Sequence, residues 1–119
     1  MLSIRNKQQG GVTVEKVYNY RHRVYGYVEN NIIYDENYGI AGYTDGTVLY
    51  DRNYAPLAYV RNGYVYSMNN VPLGYYRDYD LYDMNGNYLG YGNSGHFGLL
   101  GGILLLLLLG GIGRRRFFF

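Results

Sequence analysis

Residues 81–91 read LYDMNGNYLGY, and this pattern of residue types returns every sixteen residues along most of the chain. The repeat is carried by two tyrosine columns, Tyr18, Tyr34, Tyr50, Tyr66 and Tyr82, and Tyr27, Tyr43, Tyr59, Tyr75 and Tyr91. A column of small residues precedes the second: Gly26, Gly42, Ala58, Gly74 and Gly90. Such fixed-period similarity indicates stacked or circularly arranged copies of one supersecondary unit.

Each copy predicts a β-hairpin. Asp35 and Asn37 stand where the first strand of their copy ends, and such side chains bond the local backbone in tight turns. Asp45-Gly46 and Asn62-Gly63 predict two-residue turns into the next copy. Since several hairpins are needed to bury a shared core, we expect an all-β, pseudo-symmetric ring or shallow barrel of about ten short strands.

The two-residue period of a strand assigns its faces. It predicts that the second tyrosine column is buried together with the residues two positions earlier: Tyr25, Ala41, Leu57, Leu73 and Leu89. The glycines would point away and be covered by cross-strand tyrosine rings. The predicted repeat core is therefore Tyr27, Tyr43, Tyr59, Tyr75, Tyr91, Gly26, Gly42, Gly74 and Gly90.

The chain divides into an extension (1–16), the repeat domain (17–96) and a tail (97–119). Residues 12–16 are a candidate edge strand. The basic residues near the start precede no apolar run, so we expect no secretory signal and a cytoplasmic domain. Residues 1–95 hold eight Lys/Arg and nine Asp/Glu. This near-neutral balance argues against nucleic acid as a partner, because duplex binding needs a basic surface.

The pattern Tyr-Asp-x-Asn-Gly-x-x-Φ-Gly-Tyr at residues 82–91 resembles the repeats of β-flower proteins. The four-fold β-flower domain is the most similar family we can name, although this chain has five copies. The resemblance implies a ring of hairpins around a hydrophobic channel, similar in build to Tubby and scramblase-like domains. By the same analogy it implies lipid contact, although a fold alone does not determine function.

Residues 97–113 carry no polar side chain, and three arginines and three phenylalanines follow them. The segment is at the short end of a bilayer span, and arginine can reach the head groups. We therefore expect a membrane helix, spanning, re-entrant or interfacial. The predicted inserting residues are Phe97, Leu99, Leu100, Ile103, Leu104, Leu105, Leu106, Leu107, Leu108, Leu109 and Ile112, with Arg114, Arg115 and Arg116 on the head groups.

A helix that is apolar all round is typical of a membrane or of a buried core. Because a hydrophobic C-terminal helix fills the barrel in Tubby-like proteins, the resemblance also implies that this tail could plug its own channel. Packing of tails between copies of the chain is a third alternative.

The sequence holds no Ser-His-Asp arrangement, nucleophile elbow or phosphate loop, and His22 and His96 stand in different contexts. Residues 83–87 resemble the start of a calcium loop but lack its distant bidentate glutamate, so turn capping is the better interpretation of the recurring Asp. We expect no catalytic residue, metal or cofactor. The predicted function is a membrane-associated binding or scaffold module whose ring holds lipid or an apolar ligand. The alternatives are a soluble, self-plugged protein-binding barrel and a membrane-disrupting effector.

Overall fold

The computed structural model describes residues 14–92 and 95–109, which form ten β-strands and one α-helix. The strands are β1 (Glu15–Asn19), β2 (Val24–Glu29), β3 (Ile32–Asp35), β4 (Ile40–Thr44), β5 (Val48–Asp51), β6 (Pro56–Arg61), β7 (Tyr64–Ser67), β8 (Pro72–Arg77), β9 (Asp80–Asp83) and β10 (Tyr88–Gly92). The helix α1 spans His96–Leu109.

The strands form a closed antiparallel barrel in which every strand pairs with its neighbours in the sequence, and β10 returns to pair with β1. Tyr91 lies opposite Tyr18 at this closure. The prediction of five hairpins from the sixteen-residue repeat is confirmed. The candidate edge strand at residues 12–16 lies partly outside the described residues; within them, β1 begins at Glu15 and pairs with β2 and β10.

The turns inside the five hairpins share one capping arrangement. The Asp35 Oδ1 accepts hydrogen bonds from the backbone N–H groups of Asn37 and Gly39, both at 2.9 Å. The same two bonds recur at Asn19, Asp51, Ser67 and Asp83. The sequence-based interpretation of this column as turn caps is confirmed.

The turns between hairpins are less uniform. Asn62 and Gly63 both have positive φ, 52° and 87°, as the predicted two-residue turn requires. The loop at Asp45 is different, since only Gly46 has positive φ there. The Asp45 Oδ1 instead accepts the N–H groups of Thr47 and Val48, at 2.9 and 2.8 Å.

Each hairpin contains a one-residue β-bulge, and these bulges reverse the predicted faces of the tyrosine and glycine columns. The residues two positions before the tyrosines, Tyr25, Ala41, Leu57, Leu73 and Leu89, lie in or against the core as predicted. In the second copy Ile33 pairs with Gly42 and Tyr34 pairs with Ile40, so Ala41 is the extra residue. Equivalent shifts leave out Tyr25, Leu57, Leu73 and Leu89. A bulge breaks the two-residue alternation. The glycine column is therefore buried, while the tyrosine column is only half-buried on the outer face of the barrel.

The barrel is filled by α1. Leu99, Leu100, Ile103, Leu104 and Leu105 are almost completely buried, and they form one cluster with the aliphatic residues that begin the hairpins. A methyl group added to Gly42 would lie 2.5 Å from Leu104 Cδ2 and would also overlap the carbonyl oxygen of Tyr50. Gly26 and Gly42 thus make room for the helix and for the neighbouring strand, rather than for a tyrosine ring.

The beginning of α1 is fixed to the barrel by two polar contacts. The backbone N–H of Gly98 donates to Glu15 Oε1 at 2.8 Å, which places a carboxylate at the positive end of the helix. The His96 Nε2 lies 2.8 Å from the carbonyl oxygen of Gly46, so this nitrogen carries the donated proton. These contacts set the helix position from two different hairpins.

Candidate functional site

The outer face of the barrel carries a belt of tyrosine pairs. In each pair the two residues lie directly opposite each other on neighbouring strands. The outer tyrosine belt consists of Tyr18–Tyr91, Tyr27–Tyr34, Tyr43–Tyr50, Tyr59–Tyr66 and Tyr75–Tyr82. Cross-strand aromatic pairs of this kind stabilise a sheet and leave one side of each ring pair accessible.

The pairs differ in what lies against their rings. Tyr18 and Tyr91 stack directly, with centroids 4.7 Å apart, and Tyr59–Tyr66 and Tyr75–Tyr82 do so at 5.3 and 5.1 Å. At the Tyr27–Tyr34 and Tyr43–Tyr50 pairs, a third tyrosine from the turn of the following hairpin joins the pair instead. Its ring stacks on the second tyrosine column, with Tyr38 4.3 Å from Tyr27 and Tyr54 4.1 Å from Tyr43.

The added tyrosines are positioned by their backbone. Tyr38 and Tyr54 have positive φ, 64° and 65°, at the turn position that His22, Asn70 and Gly86 occupy in the other copies. This geometry is uncommon for a bulky residue. Their side chains remain 52% and 64% exposed, so both rings present surface to solvent. Sequence reasoning missed both residues, although their sixteen-residue separation was a signal that could have found them.

A groove of about 570 Å³ lies beside the second of these clusters. It is lined by Asn30, Asn31, Tyr43, Asp45, Tyr50 and Tyr54, among others. The Tyr50 hydroxyl donates to Asp45 Oδ2 at 3.3 Å. The Tyr50 and Tyr54 rings are inclined by 54°, with centroids 6.4 Å apart, so they form two walls at an angle.

The charge in this groove is negative. The backbone N–H groups of Val48 and Thr47 lower the pKa of Asp45, which is therefore ionised at neutral pH. Loss of hydration, followed by the charge of Asp45, raises the pKa of Tyr50. The groove thus combines neutral phenol rings with one exposed carboxylate.

The residues predicted to enter a membrane lie mostly inside the barrel. Leu99, Leu100, Ile103, Leu104, Leu105 and Leu106 are buried, whereas Phe97, Leu107 and Leu108 are partly buried against the same cluster. The side chain of Leu109, together with Ile112, Arg114, Arg115 and Arg116, lies outside the described residues. No helix in the described part of the chain combines the length and hydropathy of a bilayer span, so the expected transmembrane helix is not found there.

The position of α1 contradicts the expectation, drawn from the sequence, that the second tyrosine column surrounds a channel for lipid. The channel is occupied by α1, and Tyr27, Tyr43, Tyr59, Tyr75 and Tyr91 lie on the outer face. The face assignment failed because it assumed unbroken alternation through each bulge. The glycines of the predicted repeat core, Gly26, Gly42, Gly74 and Gly90, do lie inside.

A second cavity, of about 390 Å³, lies near the end of α1 and is lined by Asp35, Asp51, Arg52, Leu105 and Leu108. Both carboxylates already accept backbone hydrogen bonds in their own turns. Within residues 14–92 and 95–109, no three His, Asp or Glu side chains gather as metal ligands. His22 lies 3.3 Å from the Tyr91 hydroxyl and His96 holds the helix, so the two imidazoles have separate structural contacts.

A closed barrel of five sixteen-residue hairpins defines a five-fold pseudo-symmetric β-repeat protein. A family model described as "5-fold beta-flower protein" matches residues 1–100, and the chain belongs to that family. The suspected β-flower resemblance is confirmed, with five copies rather than four. Comparison with curated proteins and with solved structures gave no match.

Proposed function

We propose that the protein is a non-enzymatic binding or scaffold module in which the tail is part of the folded core and the outer tyrosine belt contacts the ligand. The observation that carries this proposal is the burial of α1 within the barrel. Because the interior is filled, the surface available to a partner is the outer face. Exposed rings such as Tyr38 and Tyr54 are well suited to binding, since aromatic residues are enriched at recognition surfaces.

The role of the tail can be tested by comparing the full chain with versions ending at Leu109 and at Gly95. Six buried aliphatic side chains of α1 contribute on the order of 9–18 kcal/mol, at about 1.5–3 kcal/mol each. This matches or exceeds the whole stability of a typical domain. We expect the version ending at Leu109 to fold like the full chain and the version ending at Gly95 to unfold or aggregate. A stable, folded chain ending at Gly95 would contradict the proposal.

The role of the surface is tested separately. Replacing both Tyr38 and Tyr54 by Ala should leave a folded barrel, because each ring is more than half exposed. Circular dichroism and thermal unfolding measure this directly. If the double variant does not fold, the rings are structural and the outer surface loses its proposed role.

Lipid contact is a second candidate function, favoured by the end of α1. Leu107 and Leu108 are only partly buried there, and the sequence continues with Ile112 and three arginines. Arginines near an apolar segment favour anionic head groups. We expect the full chain to sediment with phosphatidylserine vesicles more than with phosphatidylcholine vesicles, and the version ending at Leu109 to lose the difference. Equal sedimentation of both versions would exclude the tail end as the lipid contact.

A cytoplasmic, membrane-associated location is part of this second proposal. In it, the folded barrel stays intact while residues beyond α1 meet the head groups. Membrane disruption by the tail would instead require α1 to leave the barrel and expose its buried leucines to lipid. Packing between the tails of two copies would also require α1 to leave the barrel. Dye release from vesicles, compared between the full chain and a Leu104→Ala variant, distinguishes disruption from simple adhesion.

A further inference from the structure

The internal repeat allows one surface position to be compared in four copies of the same frame. The residue two positions after the second tyrosine column is Glu29, Asp45, Arg61 or Arg77. In the third copy the Arg61 guanidinium carbon lies 5.8 Å from the Tyr59 ring centroid and 5.2 Å from that of Tyr66. In the fourth copy Arg77 lies 6.0 Å from Tyr75. Both copies therefore place a cation of the chain itself over the belt rings, within the range of cation–π attraction.

The second copy has the same ring pair but the opposite charge. Tyr43 and Tyr50 lie opposite each other as Tyr59 and Tyr66 do. Asp45 replaces the arginine, and Tyr54 adds a third ring where the third copy has Asn70. The second copy therefore has no arginine at this position over its rings. The added Tyr54 ring and the Asp45 carboxylate both increase the attraction for a cation from outside the chain.

The surroundings of the groove also favour positive charge. Asp45 is the one charged side chain among the described residues that line the groove. The Asn30 and Asn31 side chains line the groove and have no hydrogen-bond partner among the described residues. An anion would meet Asp45 and the negative faces of the rings, so it is disfavoured. A volume of about 570 Å³ exceeds what one small head group fills, which leaves room for the rest of a ligand.

We propose that Tyr43, Tyr50 and Tyr54, together with Asp45, form a binding site for an organic cation with an alkylated ammonium or guanidinium head group. The inference rests on the proposed binding role of the outer tyrosine belt and specifies its ligand class. Arg61 over Tyr59 and Tyr66 is the internal stand-in for this ligand. The rings supply the cation–π surface, Asp45 supplies the countercharge, and the asparagine amides are free to orient polar groups of the ligand.

The test uses the full chain and three probes: choline, its neutral isostere 3,3-dimethylbutan-1-ol, and arginine amide. Tyrosine ring signals followed by NMR during titration report binding. We expect saturable shifts with at least one of the two cations, and binding of the neutral alcohol at least about tenfold weaker, because the rings and Asp45 act on the charge. Stronger binding of choline identifies a quaternary ammonium head group, and stronger binding of arginine amide identifies a guanidinium head group.

The matched variant is Asp45→Arg, which copies the third repeat into the second. The new guanidinium should cover the rings itself and weaken cation binding at least about tenfold, since it removes the countercharge and occupies the site. Tyr54→Ala should weaken binding too, whereas Tyr54→Phe should retain it. Tyr20→Ala is the control, because Tyr20 is an exposed tyrosine outside the site. Thermal unfolding of each variant checks that the barrel is intact.

Three results would overturn the assignment: equal binding of choline and its neutral isostere, unchanged binding in a folded Asp45→Arg variant, or no ring shift with either cation at about 10 mM. Failure of the ligand class is distinguishable from failure of the binding surface. If no cation binds while the double variant of Tyr38 and Tyr54 still folds, only the cation assignment falls. If that double variant unfolds, the surface proposal falls as well.

Discussion

Replacing Leu104 by Ala tests the position of α1 most directly. Leu104 is fully buried at the centre of the barrel, next to Gly42, which has no side chain with which to fill a new cavity. Leu→Ala substitutions in rigid cores cost about 2.7–5.0 kcal/mol, and the cost is larger where the surroundings cannot collapse. The wall here is a closed, hydrogen-bonded barrel. We therefore expect a loss of about 4 kcal/mol in the free energy of unfolding.

Urea unfolding followed by circular dichroism measures this loss. With a slope of about 2 kcal/mol per molar urea, the midpoint should fall by about 2 M. Leu107→Ala is the matched control, since Leu107 is on the same helix but only partly buried. Its cost should be no more than about half as large. If both variants lose less than about 0.5 kcal/mol, as surface substitutions do, α1 does not fill the barrel in solution and the reasoning is refuted.

Three further predictions concern polar groups. Glu15→Ala leaves the Gly98 N–H without its acceptor and should lower the free energy of unfolding by about 1–3 kcal/mol, as measured by thermal unfolding. Glu15→Gln keeps an acceptor oxygen and should retain most of this stability, which would exclude a general effect of altering the site. Asp51→Ala removes the acceptor of two backbone N–H groups and should lower the free energy of unfolding in urea by about 1–2 kcal/mol. Asp51→Asn should lower it clearly less, and equal losses would contradict the capping role. Loss of hydration, followed by the neighbouring Tyr43, raises the pKa of Tyr54 in the folded chain. The stability that the neutral Tyr54 contributes is therefore present below pH 10 and is lost as the pH rises beyond that value. The Tyr54→Phe variant should show a smaller loss of thermal stability between pH 9 and pH 11.

The number of hairpins and the turn chemistry could be predicted from the sequence because each depends on contacts within one copy. Asp51 bonds N–H groups two and four residues further along the chain, so its role is visible in a single repeat. The orientation of the faces could not be predicted in the same way. It depends on a bulge at residues such as Ala41, and a bulge is defined by the register between two strands.

The position of the tail also could not be read from its own residues. A bilayer and a barrel interior are both apolar, and a helix without a polar face fits either. The information that distinguishes them is located elsewhere in the chain. Glu15, 83 residues before Gly98, supplies the acceptor at the helix start, and the glycine column supplies the space that Leu104 and Leu105 occupy. Only the fold brings these residues together with the tail.

The five copies separate positions that build the barrel from positions that are free to specialise. Belt tyrosines and buried aliphatic residues recur because every copy must close the same ring around the same helix. The residue two positions after the second tyrosine column is not constant in this way. It changes from acid to arginine between the second and third copies, although Asp45 also caps its own loop. The ring therefore closes with either charge at this outward position. The groove beside Asp45, where one carboxylate lies against the rings of Tyr43, Tyr50 and Tyr54, is the place that we propose for recognition of a cation.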